Sequence, residues 1–532
     1  MKYFRINIAL TVVMLLPLAR LMAQSSMPAP TSGDTKSDEF LLLGDADRGA
    51  GEPWVFINPK DPKNIIVAAM ATLHVLPDGE TPVPHDNSVA ATINRVHELS
   101  VPDGSRTDIA ITHDGGKTWT FSEDNFRKIF NMNRCSDSFA GSGPDGALYM
   151  GCLTYLSRGD AGFKGGYLRG GESVDPNGGT AIARSDDEGK TWSNPTWVQP
   201  LKSPKLYAPW LHPLFEQVGP TDRPNFTVDL SNNTIYLTGT GGSLKADTVL
   251  PPLELDPDLP DLAGKGYKRR SLAPGSGFRT YIRASHDGGK TWGVIYTTDT
   301  DDVPGGGFGG GVSAAFGHLV VTYSTQKAPA SMNATCPCTV LGISSNDGKS
   351  YDFKLVPPLP ADLVPPPPPA GAPGPRGGGF GGTMLAADPT KEGRYAIARA
   401  AGRHLYVSIT EDGGNTWSAP VLASEAPETA NFSQRAMKYS PEGVLGIIYK
   451  ATYPNRTFDM WSAVSKDGGH TFSTVRVSHA VSPAYINDRG NFMFGDDLSS
   501  LDIDKDYLYV VWGDNRSGFE GTWFGKVPIS AY

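Results

Sequence analysis

One eight-residue pattern recurs six times along this chain: Ser or Thr, any residue, Asp, any residue, Gly, any residue, Thr, Trp. It reads THDGGKTW at 112–119, SDDEGKTW at 185–192, SHDGGKTW at 285–292, SSNDGKSY at 344–351, TEDGGNTW at 410–417 and SKDGGHTF at 465–472. The fourth copy is degenerate, with Asn346 in the Asp slot, Ser350 for Thr and Tyr351 for Trp; the sixth has Phe472 for Trp. Such self-similarity marks a repeat architecture, in which a unit buries its apolar face only against a neighbour. Each copy follows a short β-run, such as Thr107–Ile111 or His404–Ile409. The Asp can accept hydrogen bonds from its own turn and the Gly can adopt φ > 0, so the chain reverses there. The aromatic residue opens the next strand and can pack between adjacent sheets. The motif is therefore expected to be a hairpin turn with an aromatic anchor.

A second pattern, an extended run, a turn and another strand, begins near Pro53, Asp137, Asp222, Gly311, Thr383, Gln434 and Asp497, which makes seven, one more than the turns. Each reads as strands A and B of a four-stranded antiparallel sheet, with strand C before the eight-residue turn and strand D after it. The six turns resemble the Asp-box (BNR) repeat of the sialidase-like superfamily, and the resemblance covers nearly all of the chain beyond its N-terminal segment. It implies an all-β fold, a β-propeller. The A–B count favours seven blades; six, the number in sialidases, is the alternative. The seventh unit has A, B and a C strand at Thr522–Val527 but neither turn nor strand D. A missing outer strand would leave sheet edges exposed. The apolar run Phe40–Leu43 has no blade of its own and is expected to supply that strand and close the ring. The propeller then spans residues 39–532, about 70 residues per blade, more than the ~40–45 of a four-stranded blade, so loops carry the excess. In the family that the motif resembles the boxes are structural, so Asp114, Asp187, Asp287, Asp412 and Asp467 are set aside as site residues.

Ahead of the propeller, Lys2 and Arg5 precede an apolar run from Ile6 to Leu18, and Ala23 offers a cleavage point. This is the pattern of a secretory signal peptide, residues 1–23, followed by a flexible segment, 24–38. The expected location is secreted or periplasmic. The apolar run is short for a membrane span, and no later one is long enough. A net charge of −9 without a basic stripe argues against nucleic acid as partner. Cys135 and Cys152 flank the A–B hairpin of blade 2, where a disulfide is expected in an exported protein. Cys336 and Cys338 are separated by one residue, so a bond between them would be strained, with free thiols the alternative.

The long connections all join B to C or D to A, which in a propeller lie on one face: roughly 71–106, 154–178, 240–278 and 352–381, the last containing Pro365–Pro369. Elaborate loops on a rigid scaffold are where function concentrates. Residues opening the A strands should ring the central channel on that face. The candidates, by blade position, are Glu52, Asp137, Asp222, Arg223, Arg435 and Asp496, with Asp488, Arg489 and Asp497 beside them. Arg forks bind carboxylates bidentately, and paired carboxylates can do glycosidic acid/base chemistry. A capped turn with a structural Arg partner is the competing reading for each residue.

Retaining sialidases use an Arg triad, a Tyr nucleophile with a Glu partner, and an Asp acid/base. The first Arg opens blade 1, where this chain has Gly51-Glu52-Pro53-Trp54-Val55, with a carboxylate near the Arg place. That carboxylate would repel sialic acid, so the resemblance extends to the fold and not to sialidase activity. Asp103 or Asp108 could stand for the acid/base Asp, and Arg223 and Arg435 for triad members; no Tyr matches. The expected function is binding and cleavage of an extracellular glycan by a monomer, as a glycoside hydrolase or a polysaccharide lyase. The alternative is a non-catalytic carbohydrate- or protein-binding propeller. His74, His85 and His97 share one long loop, but their spacing fits no ligand motif, and neither metal nor cofactor is called for.

Overall fold

The computed structural model describes residues 36–45, 48–73, 105–122, 134–155, 178–193, 196–200, 222–242, 278–294, 296–305, 311–364, 383–425, 427, 430–453, 457–483, 498–518 and 520–532. The expected signal peptide, His74, His85, His97, Asp103, Asp488, Arg489, Asp496 and Asp497 lie outside them. Of Cys135, Asp222 and Arg223 only the backbone is described.

Seven antiparallel sheets form the ring of a β-propeller. Blade 1 is β2 (Arg48–Asn58), β3 (Asp61–Leu73), β4 (Ser105–Thr112) and β5 (Thr120–Ser122); blade 2 is β6 (Arg134–Ser142), β7 (Leu148–Tyr155), β8 (Gly178–Ser185) and β9 (Thr196–Pro200). Blade 3 is β10 (Asp222–Asp229), β11 (Thr234–Gly242), β12 (Phe278–Ser285) and β13 (Tyr296–Thr297); blade 4 is β14 (Gly311–Ala315), β15 (His318–Thr325), β16 (Cys338–Ser344) and β17 (Asp352–Val356). Blade 5 is β18 (Met384–Ala387), β19 (Tyr395–Ala401), β20 (His404–Thr410) and β21 (Val421–Glu425). Blade 6 is β22 (Asn431–Tyr439), β23 (Leu445–Thr452), β24 (Thr457–Ser465) and β25 (Ser473–Arg476), with a short extra strand, β26 (Ser482–Pro483), on β24. Among the described residues the helical pieces are two 3-10 turns, and no helix is long and apolar enough to cross a membrane.

The seventh blade is β27 (Ser499–Ile503), β28 (Tyr507–Asp514) and β29 (Gly521–Pro528), and its fourth strand is β1 (Asp38–Leu43), antiparallel to β29 with Phe40 opposite Phe524. The N-terminal strand thus closes the ring. Gly44, at φ 98°, carries the chain onward to blade 1; a Cβ there would meet the Glu520 carbonyl oxygen at 2.9 Å. The join is charged as well as apolar. Glu39, 1 % exposed, pairs with Arg516 at 2.5 Å, and Arg516 pairs with the fully buried Asp514 at 2.6 Å. The Asp514 carboxylate also accepts from Trp512 Nε1 (2.9 Å) and from Ser482 Oγ of blade 6 (2.6 Å).

The eight-residue turn does the same work in every copy. The Gly in its fifth position takes φ between 83° and 106° in Gly116, Gly189, Gly289, Gly348, Gly414 and Gly469. Its N–H donates to the opening Ser or Thr hydroxyl at 2.7–3.0 Å. In the five Asp copies one carboxylate oxygen accepts the hydroxyl of the seventh residue at 2.6 Å and the other accepts its N–H at 2.8–2.9 Å. In the degenerate copy Asn346 substitutes with little change, accepting Ser350 N–H at 3.0 Å and donating to Ser350 Oγ at 2.9 Å. The closing aromatic residues pack into cores shared between neighbouring blades: Trp119 meets Phe524 of blade 7 edge-on at 5.1 Å, and Trp417 and Phe472 lie against the cores between blades 4 and 5 and between 5 and 6. The hydrophobic core is therefore a ring of blade-to-blade interfaces.

Hydrogen bonds tune these carboxylates. In Asp187 the bond from the Thr191 hydroxyl is the largest influence and lowers its pKa to about 2. In Asp287 and Asp467 desolvation is the largest and pushes upward, yet the turn's hydrogen bonds outweigh it and leave both at about 2. Asp114 and Asp412 are lowered by the same threonine bonds. A depressed folded pKa means stability that is complete above the ordinary aspartate value and lost as pH falls through the folded one. Acid should therefore weaken the ring between about pH 4 and about pH 2. Converting all five aspartates to Asn, the residue the fourth copy already tolerates, is expected to flatten this loss in melting temperature measured against pH; an unchanged slope would place the acid sensitivity elsewhere. At the closure, Arg516→Met leaves Glu39 and Asp514 buried without their cation. It is expected to cost about 3 kcal/mol in urea unfolding; a change below about 0.5 kcal/mol would mean that the cluster holds nothing together.

Candidate functional site

The innermost strands line a central cavity of about 430 Å³, with walls from every blade, including Trp54, Ser142, Asn225, Val312, Met384, Arg435 and Leu501. Side chains knit these strands across blade boundaries. Ser142 Oγ donates to the Ile57 carbonyl at 2.6 Å, Asp502 accepts Ile57 N–H at 2.8 Å, and Ser313 accepts Ala387 N–H at 2.9 Å. Asp502 also pairs with Lys438 at 2.6 Å, and the Lys438 ammonium sits 4.4 Å from the Phe56 ring centre. The A–B turns at the far end are pinned by Asn58, Asp229, Asp388 and Asp504, each accepting the N–H two residues on at 2.7–3.0 Å.

At the opposite end the A strands break their own regularity. Pairing jumps between Gly51 and Trp54 in β2, Ser136 and Phe139 in β6, Asp222 and Asn225 in β10, and Ser433 and Ala436 in β22. In each case two residues stand opposite one, a β-bulge, at the same distance from the A–B turn. The bulged pairs are Glu52–Pro53, Asp137–Ser138, Arg223–Pro224 and Gln434–Arg435. Bulges bend a strand and re-aim its side chains, and they gather beside active sites. Glu52 and Asp137 are held at φ 50° and 47°, a left-handed conformation that costs free energy in residues other than glycine. Four of the six candidates thus lie in equivalent bulges of four blades, Glu52, Asp137 and Arg223 in the first place of the pair and Arg435 in the second. Asp222 immediately precedes the blade 3 bulge, and Asp496 lies outside the described residues. Prolines inside strand-like runs, Pro53 and Pro224, were the available sequence signal, because proline within a sheet is confined to edges, strand starts and bulges.

The candidates differ in surroundings. Glu52 is buried at 6 % exposure and directly precedes Pro53, which lines the cavity. Asp108, at 4 % exposure on β4, stands opposite Ala69 of β3, the residue that faces the bulged Glu52–Pro53 pair. The two buried carboxylates therefore share one cross-strand row, about 10 Å apart between Cα atoms at the usual strand spacing. Thr107, the next residue of β4, meets Ser138 of the blade 2 bulge hydroxyl to hydroxyl. Arg435 lines the cavity wall itself. Burial alone pushes its pKa down, and among the described residues no carboxylate or carbonyl pairs with its guanidinium. Arginine remains charged regardless. The site sequence missed Lys438 and Asp502, whose pairing depends on blades 6 and 7 meeting at the axis. Cys152 is disulfide-bonded, whereas Cys336 and Cys338 are free thiols.

No protein-family model matches the chain, and no curated protein does. Among solved structures it is similar to the Hadza microbial sialidase Hz136, with 14 % identity and a TM-score of 0.41 over 81 % of this chain and 75 % of that one. The intramolecular trans-sialidase from Ruminococcus gnavus, in complex with oseltamivir carboxylate, shows 13 % identity and a TM-score of 0.34 over 93 % of this chain and 97 % of that one. Trypanosoma rangeli sialidase in complex with sialic acid shows 12 % identity and 0.34, and 92 % of this chain spans 59 % of its length. Likeness at these levels assigns no residue a role.

A half-buried cation without a counter-charge among the described residues does not help a fold. Arg435→Met is therefore expected to leave stability unchanged or to raise it by up to about 1 kcal/mol in urea unfolding. A loss above about 2 kcal/mol would show that the guanidinium is structural.

Proposed function

We propose that the chain is an exported Asp-box propeller of the sialidase-like superfamily that binds and cleaves an acidic extracellular glycan at the bulge-bearing end of its central cavity. The observation that carries this reading is Arg435, half-buried on the cavity wall with no partner among the described residues. Burying an unpaired charge is costly, and a ligand carboxylate is the counter-charge that offsets it. The planar guanidinium fork fits a carboxylate bidentately. Arg223, on the equivalent bulge of blade 3, is the second cation of the site. Glu52 and Asp108 form the carboxylate pair, one to protonate the leaving oxygen and the other to activate water or attack the sugar. Asp137, Asp222 and Asp496 contribute polar contacts to the sugar hydroxyls around the rim. A carboxylate in place of an arginine at the start of blade 1 turns the substrate carboxylate toward blades 3 and 6 and away from Glu52.

The test is product release from sialosides, uronate-containing polysaccharides and neutral polysaccharides. Release is expected from a carboxylated glycan. Arg435→Met should raise KM at least about tenfold, equivalent to about 1.4 kcal/mol of lost binding. Asp108→Asn and Glu52→Gln should each lower kcat by about 10²–10⁴-fold. Glu52→Gly separates strain from chemistry: glycine relieves the positive φ, so the fold should hold while activity falls. Release from neutral glycans that Arg435→Met leaves untouched would overturn the reading. Binding without release would favour a non-catalytic carbohydrate-binding propeller.

A further inference from the structure

Away from the cavity, a histidine stands at the joint that closes the ring. His479, between β25 and β26 of blade 6, meets the N-terminal segment through three of its nitrogens. Its backbone N–H donates to Glu39 Oε2 at 2.6 Å, and its ring Nδ1 lies 3.6 Å from the same oxygen. Its ring Nε2 lies 2.8 Å from the Ser37 carbonyl oxygen and 3.1 Å from Ser37 Oγ, which itself donates to the Val477 carbonyl at 2.6 Å. A carbonyl only accepts, and a hydroxyl whose proton is already used also accepts, so Nε2 must carry a proton. That leaves Nδ1 facing a carboxylate that is 1 % exposed. Without a proton between them, two lone pairs would oppose each other away from water.

Charge points the same way. Glu39 and Asp514 are both buried carboxylates, and they share one guanidinium, that of Arg516. The other charged side chains around the joint are engaged elsewhere. Asp38 stands opposite Lys526, Lys36 donates to the Ala531 carbonyl, Arg476 pairs with Asp459, and Lys450 donates to the Gly513 carbonyl above the Phe458 ring. A buried carboxylate with half a counter-charge is costly. We propose that a proton held between His479 Nδ1 and Glu39 Oε2 completes the cluster, so that the strand closing the ring is fastened while that proton is bound and loosened when rising pH removes it. Desolvation, the largest influence on the Glu39 carboxyl, raises it above its ordinary value against the downward pull of Arg516 and His479. A raised folded pKa means stability that is complete below the ordinary glutamate value and lost as pH rises through the folded one. The sign is opposite to that of the turn aspartates, whose loss lies below about pH 4.

The experiment is hydrogen exchange at the backbone amides of Phe40–Leu43 in the full chain, at about pH 5 and about pH 9, corrected for the intrinsic pH dependence of exchange. Protection of β1 is expected to fall at least about tenfold across that interval, while β19 in blade 5 keeps its own. Glu39→Gln removes the charge that the proton offsets, so protection of β1 in that variant should not change with pH. Should it fold poorly, His479→Asn places an amide N–H that does not dissociate near the Nδ1 position and should flatten the response in the same way. Equal protection of native β1 at the two pH values would overturn the proposal. So would a fall in Glu39→Gln as large as in the native protein.

Discussion

The pairing of β1 with β29 is the contact on which the rest of the molecule depends. Every other blade is built from consecutive chain, so each forms its sheet from local hairpins. The seventh cannot. Its outer strand comes from the other end of the propeller, and until it docks, blades 7 and 1 share no finished interface. The ion pairs of Glu39, Arg516 and Asp514 make that docking specific. Apolar pairing of Phe40 with Phe524 sets affinity but tolerates slippage, since a shifted strand still finds apolar neighbours. A buried carboxylate needs its own guanidinium, because a shift in register leaves both charges unpaired in a dry environment. His479 N–H, from blade 6, donates to Glu39 at 2.6 Å, so the same carboxylate ties three segments together.

Closure in turn allows the blades to be unequal at one end and uniform at the other. At the uniform end six turns repeat one hydrogen-bonding scheme, and the cores they anchor pass from blade to blade without interruption. At the other end blades 1, 2, 3 and 6 carry bulges while β14, β18 and β27 pair regularly. A ring that is rigid at its turns can hold strained residues at its mouth. Such strain persists only where the surroundings over-determine it.

The uniform end was legible in the sequence because its causes are local. Eight residues contain both halves of the hydrogen bonds that repeat from copy to copy, so the pattern and the structure are nearly the same statement. The seventh blade was legible for a related reason: Phe40–Leu43 was apolar with no blade of its own, and an open sheet edge was waiting. The cavity end was legible only as position. Glu52, Asp137, Arg223 and Arg435 could be placed near the starts of their strands. That each of them sits in a bulge depends on the partner strand, which a single run of residues does not contain. The bond of Asp502 with Lys438, and that of Glu39 with Arg516, join segments far apart in the chain, and nothing near either residue announces its partner.

Arg435 and Arg516 show how the same side chain separates into two kinds. Both are half-buried arginines, Arg435 in the bulge of β22 and Arg516 just past the end of β28. Arg516 lies between two carboxylates and above the Trp523 ring, 4.0 Å from its centre, and each of these neighbours lowers the cost of burying its charge. Among the described residues Arg435 has desolvation without any of them. A chain under selection for stability alone would place methionine or leucine there, since an apolar side chain of that size loses nothing by leaving water. The cavity wall instead keeps a charge with no counter-charge among the described residues, beside a space of about 430 Å³. On the proposed reading, an anion entering that space supplies the counter-charge that the described residues do not.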